Sequence, residues 1–66
     1  MDLKVNGNLH RLEGGDTLSE LLQQLAITEG RFAVEVNGEI IPKSQHHEYK
    51  LHDKDAVEIV RAIGGG

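Results

Sequence analysis

The alternation of apolar and polar residues at the start of the chain predicts a β-hairpin. Leu3 and Val5 alternate with polar neighbours at a period of two, which is typical of a half-buried strand. The pair Asn6-Gly7 follows, and it favours a type I′ turn because both central residues of that turn need a positive φ. Leu9 and Leu12 fall on opposite faces of the returning strand, so we expect a bulge or an early end of that strand.

The segment DTLSELLQQLA predicts the clearest helix. Thr17 and Glu20 have the spacing of a capping box, in which each side chain binds a backbone N–H group at the helix start. Leucines follow at positions i, i+3, i+4 and i+7, so they form one apolar stripe: Leu18, Leu21, Leu22 and Leu25. We expect Gly30 to mark the exit from the helix.

The second half of the chain predicts further strands. Within RFAVEVNGEIIPK, alternate apolar residues share one face, Asn37-Gly38 repeats the turn signal, and Pro42 ends any regular ladder. In AVEIVRAI, Val57 and Ile59 share one face, and Val60 lies on the other. This last strand lacks a clean polar face, which favours a position inside the sheet, beside the first strand, or at an interface.

This order of elements predicts a two-layer α+β domain, because one helix stripe needs one sheet face to cover it. We expect a mixed sheet of four to five strands packed against one main helix, over residues 1–63. Residues 64–66 are expected to form a flexible tail. The predicted core comprises Leu3, Val5, Leu18, Leu21, Leu22, Leu25, Val34, Val36, Val57 and Ile59.

The stretch SQHHEYKLHDKD is polar and is expected to be irregular, with Tyr49 and Leu51 as anchors. Its histidines, His46, His47 and His52, are candidate zinc ligands by residue type. A zinc site also needs a fixed scaffold and supporting hydrogen bonds. In a polar loop of a chain without cysteine, solvated surface histidines are the better prediction, so we expect no metal site.

Composition narrows the class of protein. The chain has 66 residues, no cysteine and a net charge of −4. A single domain without disulfides follows. The acidic balance argues against nucleic-acid binding and favours a basic partner surface. A signal peptide and a bilayer-spanning apolar run are both missing, so we expect a cytoplasmic protein, monomeric when free, with no membrane association.

Three glycines, Gly64, Gly65 and Gly66, close the sequence although glycine loses much conformational freedom on ordering. A frayed end is one explanation. The whole pattern, however, resembles the ubiquitin-like β-grasp family, and more narrowly the sulfur carriers of the ThiS type. The resemblance is carried by the Asn6-Gly7 hairpin, DTLSELL, VEVNGEIIPK, DKDAVEIVRAIGGG and the chain length. One departure is Lys54, where relatives often carry glycine.

The resemblance implies a reaction at Gly66. An E1-like adenylyltransferase would activate its carboxylate with ATP, and sulfur from a cysteine desulfurase or another donor would give a thiocarboxylate. Thiazole synthase would then receive the sulfur. Gly65 and Gly64 would lengthen the tail without adding side chains, so that it could enter a narrow nucleotide site. The chain would be a protein cosubstrate and not an enzyme, with no bound cofactor. Its residues show no Ser/His/Asp set, P-loop or catalytic carboxylate pair.

The last strand also suggests a docking surface. If Val57 and Ile59 face the helix, an apolar patch remains on the outer face of the sheet before the glycines. We expect this patch to bind the activating enzyme and the sulfur acceptor, through Val60, Arg61, Ala62 and Ile63.

Other functions fit the same pattern. The small subunit of molybdopterin synthase resembles this fold and chemistry but is usually longer. A non-covalent β-grasp binding module would use no carboxylate chemistry and should tolerate residues added after Gly66. A protein-conjugating modifier would pass the same acyl-adenylate to an amine.

Overall fold

The computed structural model describes residues 1–27 and 29–61, which form five strands and one α-helix. In chain order these elements are β1 (Asp2–Val5), β2 (Asn8–Arg11), α1 (Leu18–Gln24), β3 (Phe32–Val36), β4 (Glu39–Ile40) and β5 (Ala56–Arg61). A short 3₁₀ turn, Lys43–Gln45, lies between β4 and β5.

The strands form one mixed sheet in the order β2-β1-β5-β3-β4. β1 and β5 are parallel, with Val5 opposite Val57, and the other pairs are antiparallel. The last strand therefore inserts beside the first, as the sequence predicted. One helix on one face of this sheet gives the ubiquitin-like β-grasp architecture, and that prediction is confirmed.

Both Asn-Gly pairs form the predicted hairpin turns. Asn6 and Gly7 have φ values of 50° and 83°, and Asn37 and Gly38 have 52° and 85°. Positive φ at both central positions is the signature of the type I′ turn, whose twist matches that of the flanking strands. Turn chemistry thus sets the register of both hairpins.

A complete capping box starts α1. The hydroxyl oxygen of Thr17 accepts from the N–H of Glu20 at 3.2 Å, and the carboxylate of Glu20 accepts from the N–H of Thr17 at 3.2 Å. The Thr17 hydroxyl also donates to that carboxylate at 2.8 Å. These bonds to Thr17, with a further one from the N–H of Asp16, hold the pKa of Glu20 below its ordinary value. A Cβ at Gly15 would overlap this carboxylate, so a larger residue there would displace the Glu20 side chain from its position in the capping box.

The end of α1 differs from the prediction. The helix ends at Gln24 with Leu25 as its C-cap, well before Gly30, because Ala26 takes a left-handed φ of 60°. The N–H of Ala26 binds the carbonyl of Gln23 at 3.0 Å, and that of Ile27 binds the carbonyl of Leu22 at 2.8 Å. These two bonds form a Schellman motif, in which glycine is the usual residue at the left-handed position.

The core contains most of the predicted residues and three others. Val5 and Leu25 are only partly buried and pack against its edge. Leu12 joins the core because β2 ends at Arg11, which settles the two alternatives for that strand, while Leu9 is 77% exposed. The buried set is Leu3, Leu12, Leu18, Leu21, Leu22, Val34, Val36, Ile41, Leu51, Val57 and Ile59.

One histidine prediction is wrong. His46 is buried, whereas His47 and His52 are exposed. The Nε2 atom of His46 lies 3.0 Å from the carbonyl oxygen of Ile41, and its ring centroid is 6.2 Å from that of Phe32. Because a carbonyl only accepts, Nε2 carries the proton. A polar loop buries this histidine because its backbone returns to the start of α1.

Candidate functional site

Two residues of the predicted site lie at the end of β5. Val60 and Arg61 are the last two described residues of that strand. The other predicted site residues, Ala62, Ile63, Gly64, Gly65 and Gly66, lie outside the described residues, as does the predicted tail. β5 is the central strand of the sheet, between β1 and β3, so the strand leading to the predicted reactive end is supported on both sides.

The two faces of β5 are divided as the sequence predicted. Val57 and Ile59 are buried in the core, and Val60 is 60% exposed on the opposite face. Val60 pairs with Ala33 of β3, which is also exposed, so apolar surface continues across both strands. Arg61 pairs with Phe32 at the end of the ladder.

Sequence reasoning missed two apolar side chains that share this outer face. Leu9 is 77% exposed, and Ile40 is 65% exposed. Leu9 is opposite Lys4 and Ile40 is opposite Glu35, and directly opposite residues project from the same face of a sheet. A two-residue turn fixes which residues are opposite, so the Asn-Gly turns contained the signal for both.

The middle of the outer face is acidic. Glu35 of β3 is directly opposite Glu58 of β5. Within the described residues, the Lys and Arg ion pairs join Arg11 to Asp2 and Lys50 to Asp16, and neither of these glutamates takes part in one. Like charges in this position are destabilising, and the arrangement suits a cationic partner surface.

A cleft of about 360 Å³ opens beside the same end of β5. Asn6, Leu9, His10 and Arg61 are among its lining residues. The Nε2 atom of His10 is buried and has no hydrogen-bond partner in the described part of the chain. The end of β5 therefore combines an apolar outer face with a concave polar edge.

The described residues, 1–27 and 29–61, contain neither a cluster of metal-ligating side chains nor a membrane-spanning helix. Within those residues, three His, Cys, Asp or Glu side chains nowhere come together in a way that could hold a metal ion. Nor does any helix there have the length and apolar content needed to cross a membrane.

Known proteins resemble this chain over most or all of its length. The crystal structure of the thiamine biosynthesis protein ThiS from Geobacter metallireducens has a TM-score of 0.81 and 33% identity, and the match covers 100% of both chains. The sulfur carrier protein ThiS of Bacillus subtilis is 42% identical over 50 residues, which are 76% of this chain and 76% of that protein.

Other relatives are longer. The thiazole synthase of Paramagnetospirillum magneticum is 39% identical over 66 residues, and that of Magnetococcus marinus is 35% identical. Each match covers 100% of this chain, which spans only 20% of either relative's length. The sequence model of the ThiS family matches residues 3–66, and because that match covers nearly the whole chain, the chain belongs to the ThiS family.

Proposed function

We propose that this protein is a sulfur carrier of thiamine biosynthesis and that the sulfur is carried as a thiocarboxylate on Gly66. The observation that carries the proposal is the reach of the family match, which extends through the three glycines to residue 66. The names of the Bacillus subtilis and Geobacter metallireducens relatives support the same function and pathway.

The chemistry begins with activation, because a carboxylate oxygen is a poor leaving group. In the proposed step, an E1-like adenylyltransferase joins the Gly66 carboxylate to the α-phosphate of ATP and releases pyrophosphate. A sulfur nucleophile from a cysteine desulfurase or another donor then attacks the acyl carbon, and AMP leaves. Where the donor is a persulfide, a thiol reductant completes the step. One oxygen is thereby replaced by sulfur.

The residues of the chain have distinct roles in this proposal. Gly66 supplies the reacting carbon, and Gly65 and Gly64 let the backbone enter a narrow nucleotide site without side-chain clashes. The chain itself is consumed and regenerated as a cosubstrate, and ATP is bound by the partner.

The outer face of the sheet is the proposed docking surface. Its exposed Val60 lies near the end of β5, four positions before Gly64 in the sequence, and the surface continues into other apolar and acidic positions of the sheet. The proposal also includes Arg61, Ala62 and Ile63, which follow Val60 in the sequence. An apolar patch bordered by charges is typical of a protein interaction site.

Thiazole synthase is the proposed sulfur acceptor. Two relatives with that name include a segment similar to this entire chain. A carrier and an acceptor that occur within one polypeptide in some organisms are good candidates for a complex where they are separate.

The test is a mass measurement. The protein is incubated with the activating enzyme of its own organism, ATP, cysteine and a desulfurase, and its intact mass is recorded. We expect the gain for one oxygen replaced by sulfur, with fragmentation placing it on Gly66. Deletion of Gly66 should abolish the gain, since a misplacement of about 1 Å can cost ~100-fold in rate. Ser44→Ala, in the distant 3₁₀ turn, is the matched control and should react normally.

Extension of the chain separates this function from the binding-module alternative. Two residues added after Gly66 would place its carbonyl in a peptide bond and should prevent the modification. A sulfur gain in the deleted or extended protein, or on a side chain, would contradict the proposal.

A further inference from the structure

Asn6, far from β5 in sequence, holds the backbone of that strand near its end. The side-chain oxygen of Asn6 accepts from the N–H of Ile59 at 2.7 Å, and its Nδ2 atom donates to the carbonyl oxygen of Ile59 at 3.2 Å. The backbone N–H of Asn6 donates to the carbonyl of Val57 at 2.8 Å. One residue therefore binds two successive positions on the same edge of β5.

These hydrogen bonds take the place of backbone pairing with β1, which has already ended. β1 stops at Val5, because the chain turns away at Asn6-Gly7, whereas β5 continues to Arg61. The N–H and carbonyl groups of Ile59 face the side that β1 has left, and buried backbone groups without partners are costly. The carboxamide of Asn6 offers one donor and one acceptor, as a peptide group does, so it extends the ladder by one further step.

The bonds from Asn6 determine how far β5 is hydrogen-bonded on both of its edges. On its other edge β5 pairs with β3 as far as Arg61 opposite Phe32. With Asn6 in place, β5 is held on both edges as far as Ile59, which is 66 − 59 = 7 positions before Gly66. A side chain of the first hairpin thus holds one edge of β5 up to Ile59, near the last described residues of the chain.

We propose that Asn6 is a positioning residue for the activation of Gly66. The inference rests on the proposed sulfur-carrier function. If the end of β5 is released on one edge, the docked protein has more orientations in which the carboxylate is out of line with the α-phosphate. Rates of such reactions depend steeply on the alignment of the reacting atoms. The side chains of the outer face are not substituted, so we expect the rate of activation to change much more than docking does.

The second hairpin turn supplies a matched control. Asn37 occupies the same turn position as Asn6 and also binds β5, at the opposite end of that strand. Its side chain accepts from the N–H of Ala56 at 3.0 Å and donates to the carboxylate of Asp55 at 2.9 Å. In Asn6→Gly and Asn37→Gly both turns are retained, because glycine accepts a positive φ, and each variant loses two side-chain hydrogen bonds.

The experiment measures ATP–pyrophosphate exchange by the activating enzyme of the same organism at varied concentrations of the full chain. For Asn6→Gly we expect kcat to fall about tenfold or more, with KM within about twofold of the wild type. Asn6→Asp keeps the acceptor and loses the donor, so its kcat should lie between the two. Asn37→Gly should retain kcat within about twofold. Hydrogen exchange at the Ile59 amide should accelerate in Asn6→Gly and not in Asn37→Gly.

The outcomes are separable. Equal kcat values for Asn6→Gly and Asn37→Gly, at equal folded fractions by circular dichroism, would overturn the positioning role while leaving the carrier function intact. A rise in KM with unchanged kcat would also overturn it, because docking would then be the affected step. If the wild type supports no exchange and gains no sulfur, the proposed function fails, and the positioning role fails with it.

Discussion

Ile59 and Val60 are consecutive residues of β5, yet they lie on opposite faces of the sheet: Ile59 is 8% exposed and Val60 is 60% exposed. Successive side chains of a strand project to opposite faces, and only one face of this sheet is covered by α1. The same strand therefore contributes to the core and to an exposed apolar surface, and the two residues should respond very differently to a charge.

We predict that Val60→Asp folds but binds the activating enzyme and thiazole synthase more weakly. The substituted carboxylate remains solvated on the outer face, so the free energy of unfolding should change little. At the interface it would replace apolar contact with a charge, and calorimetric titration against each partner should show the loss.

Two variants control this experiment. Ser44→Asp adds the same charge to the exposed 3₁₀ turn and should leave both affinities unchanged. Ile59→Asp should unfold the protein, because a buried unpaired charge is costly. Unchanged affinities for Val60→Asp, with the fold intact, would exclude this face as the docking surface.

The helix stripe makes a prediction about stability. Leu22 is buried between α1 and the sheet, so Leu22→Ala should lower the free energy of unfolding by about 2–5 kcal/mol. Gln23→Ala, on the adjacent exposed position, should change it by less than about 0.5 kcal/mol. Denaturant titration followed by circular dichroism measures both values, and a small effect at Leu22 would show that the helix face is misassigned.

Ala26 is the site of a predicted stabilising substitution. Its left-handed φ of 60° costs an L-residue about 1–2 kcal/mol, whereas glycine avoids that cost and loses part of the gain to entropy. Ala26→Gly should therefore raise the free energy of unfolding by about 0.5–1 kcal/mol. Ala33→Gly, in the extended strand β3, is the matched control and should lower it by a similar amount. Destabilisation by both variants would contradict the assigned helix end.

The capping box predicts a pH dependence. Hydrogen bonds, first of all from the Thr17 hydroxyl, hold the pKa of Glu20 below the ordinary 4.5 in the folded state. A lowered folded-state pKa gives stability that is present above 4.5 and is lost as the pH falls through the folded value. The stability advantage of the wild type over Glu20→Gln should therefore shrink as the pH falls below 4.5. Thermal melts across this range measure it.

Thr17→Ala tests the cause of that shift. It removes the main hydrogen bond to Glu20 and the N-cap, so it should cost about 0.5–2 kcal/mol at neutral pH. When Thr17 is already replaced by alanine, the difference in stability between proteins with Glu20 and with Glu20→Gln should depend much less on pH. An undiminished dependence would mean that other groups hold the pKa down.

The acidic pair on the outer face predicts a gain in stability on charge reversal. Glu58→Lys would place a cation directly opposite Glu35, and a favourable cross-strand charge pair contributes about 0.2–1 kcal/mol. Glu48→Lys changes the net charge equally at an exposed position outside the strands. Denaturant midpoints should rise more for Glu58→Lys than for Glu48→Lys, and the difference should diminish in high salt. Equal midpoints would show that Glu35 and Glu58 do not destabilise the fold by repelling each other.

Local sequence signals determined much of this structure. The two Asn-Gly pairs predicted both hairpins, because a type I′ turn is a property of two adjacent residues. Thr17 and Glu20 predicted the helix start for the same reason, since all partners in a capping box lie within four residues. Alternation in β5 separated Ile59 from Val60. The family resemblance added the expected role of the glycines, whose chemistry awaits the mass measurement.

Tertiary contacts decided what local patterns could not. Leu12, Ile41 and His46 lie outside the regular strands and α1, where no periodicity indicates a buried face, as does Leu51, which the sequence predicted only as an anchor of its polar stretch. Their burial depends on long-range backbone bonds, such as that from the N–H of Leu51 to the carbonyl of Asp16.

The hydrogen bonds between Asn6 and Ile59 also depend on tertiary structure. The sequence determined the turn at Asn6, which is a local matter, but only the parallel pairing of β1 with β5 brings its carboxamide to a strand 53 residues away. A residue's backbone preference is set by its immediate neighbours, whereas the partner of its side chain is set by the packing of the whole sheet.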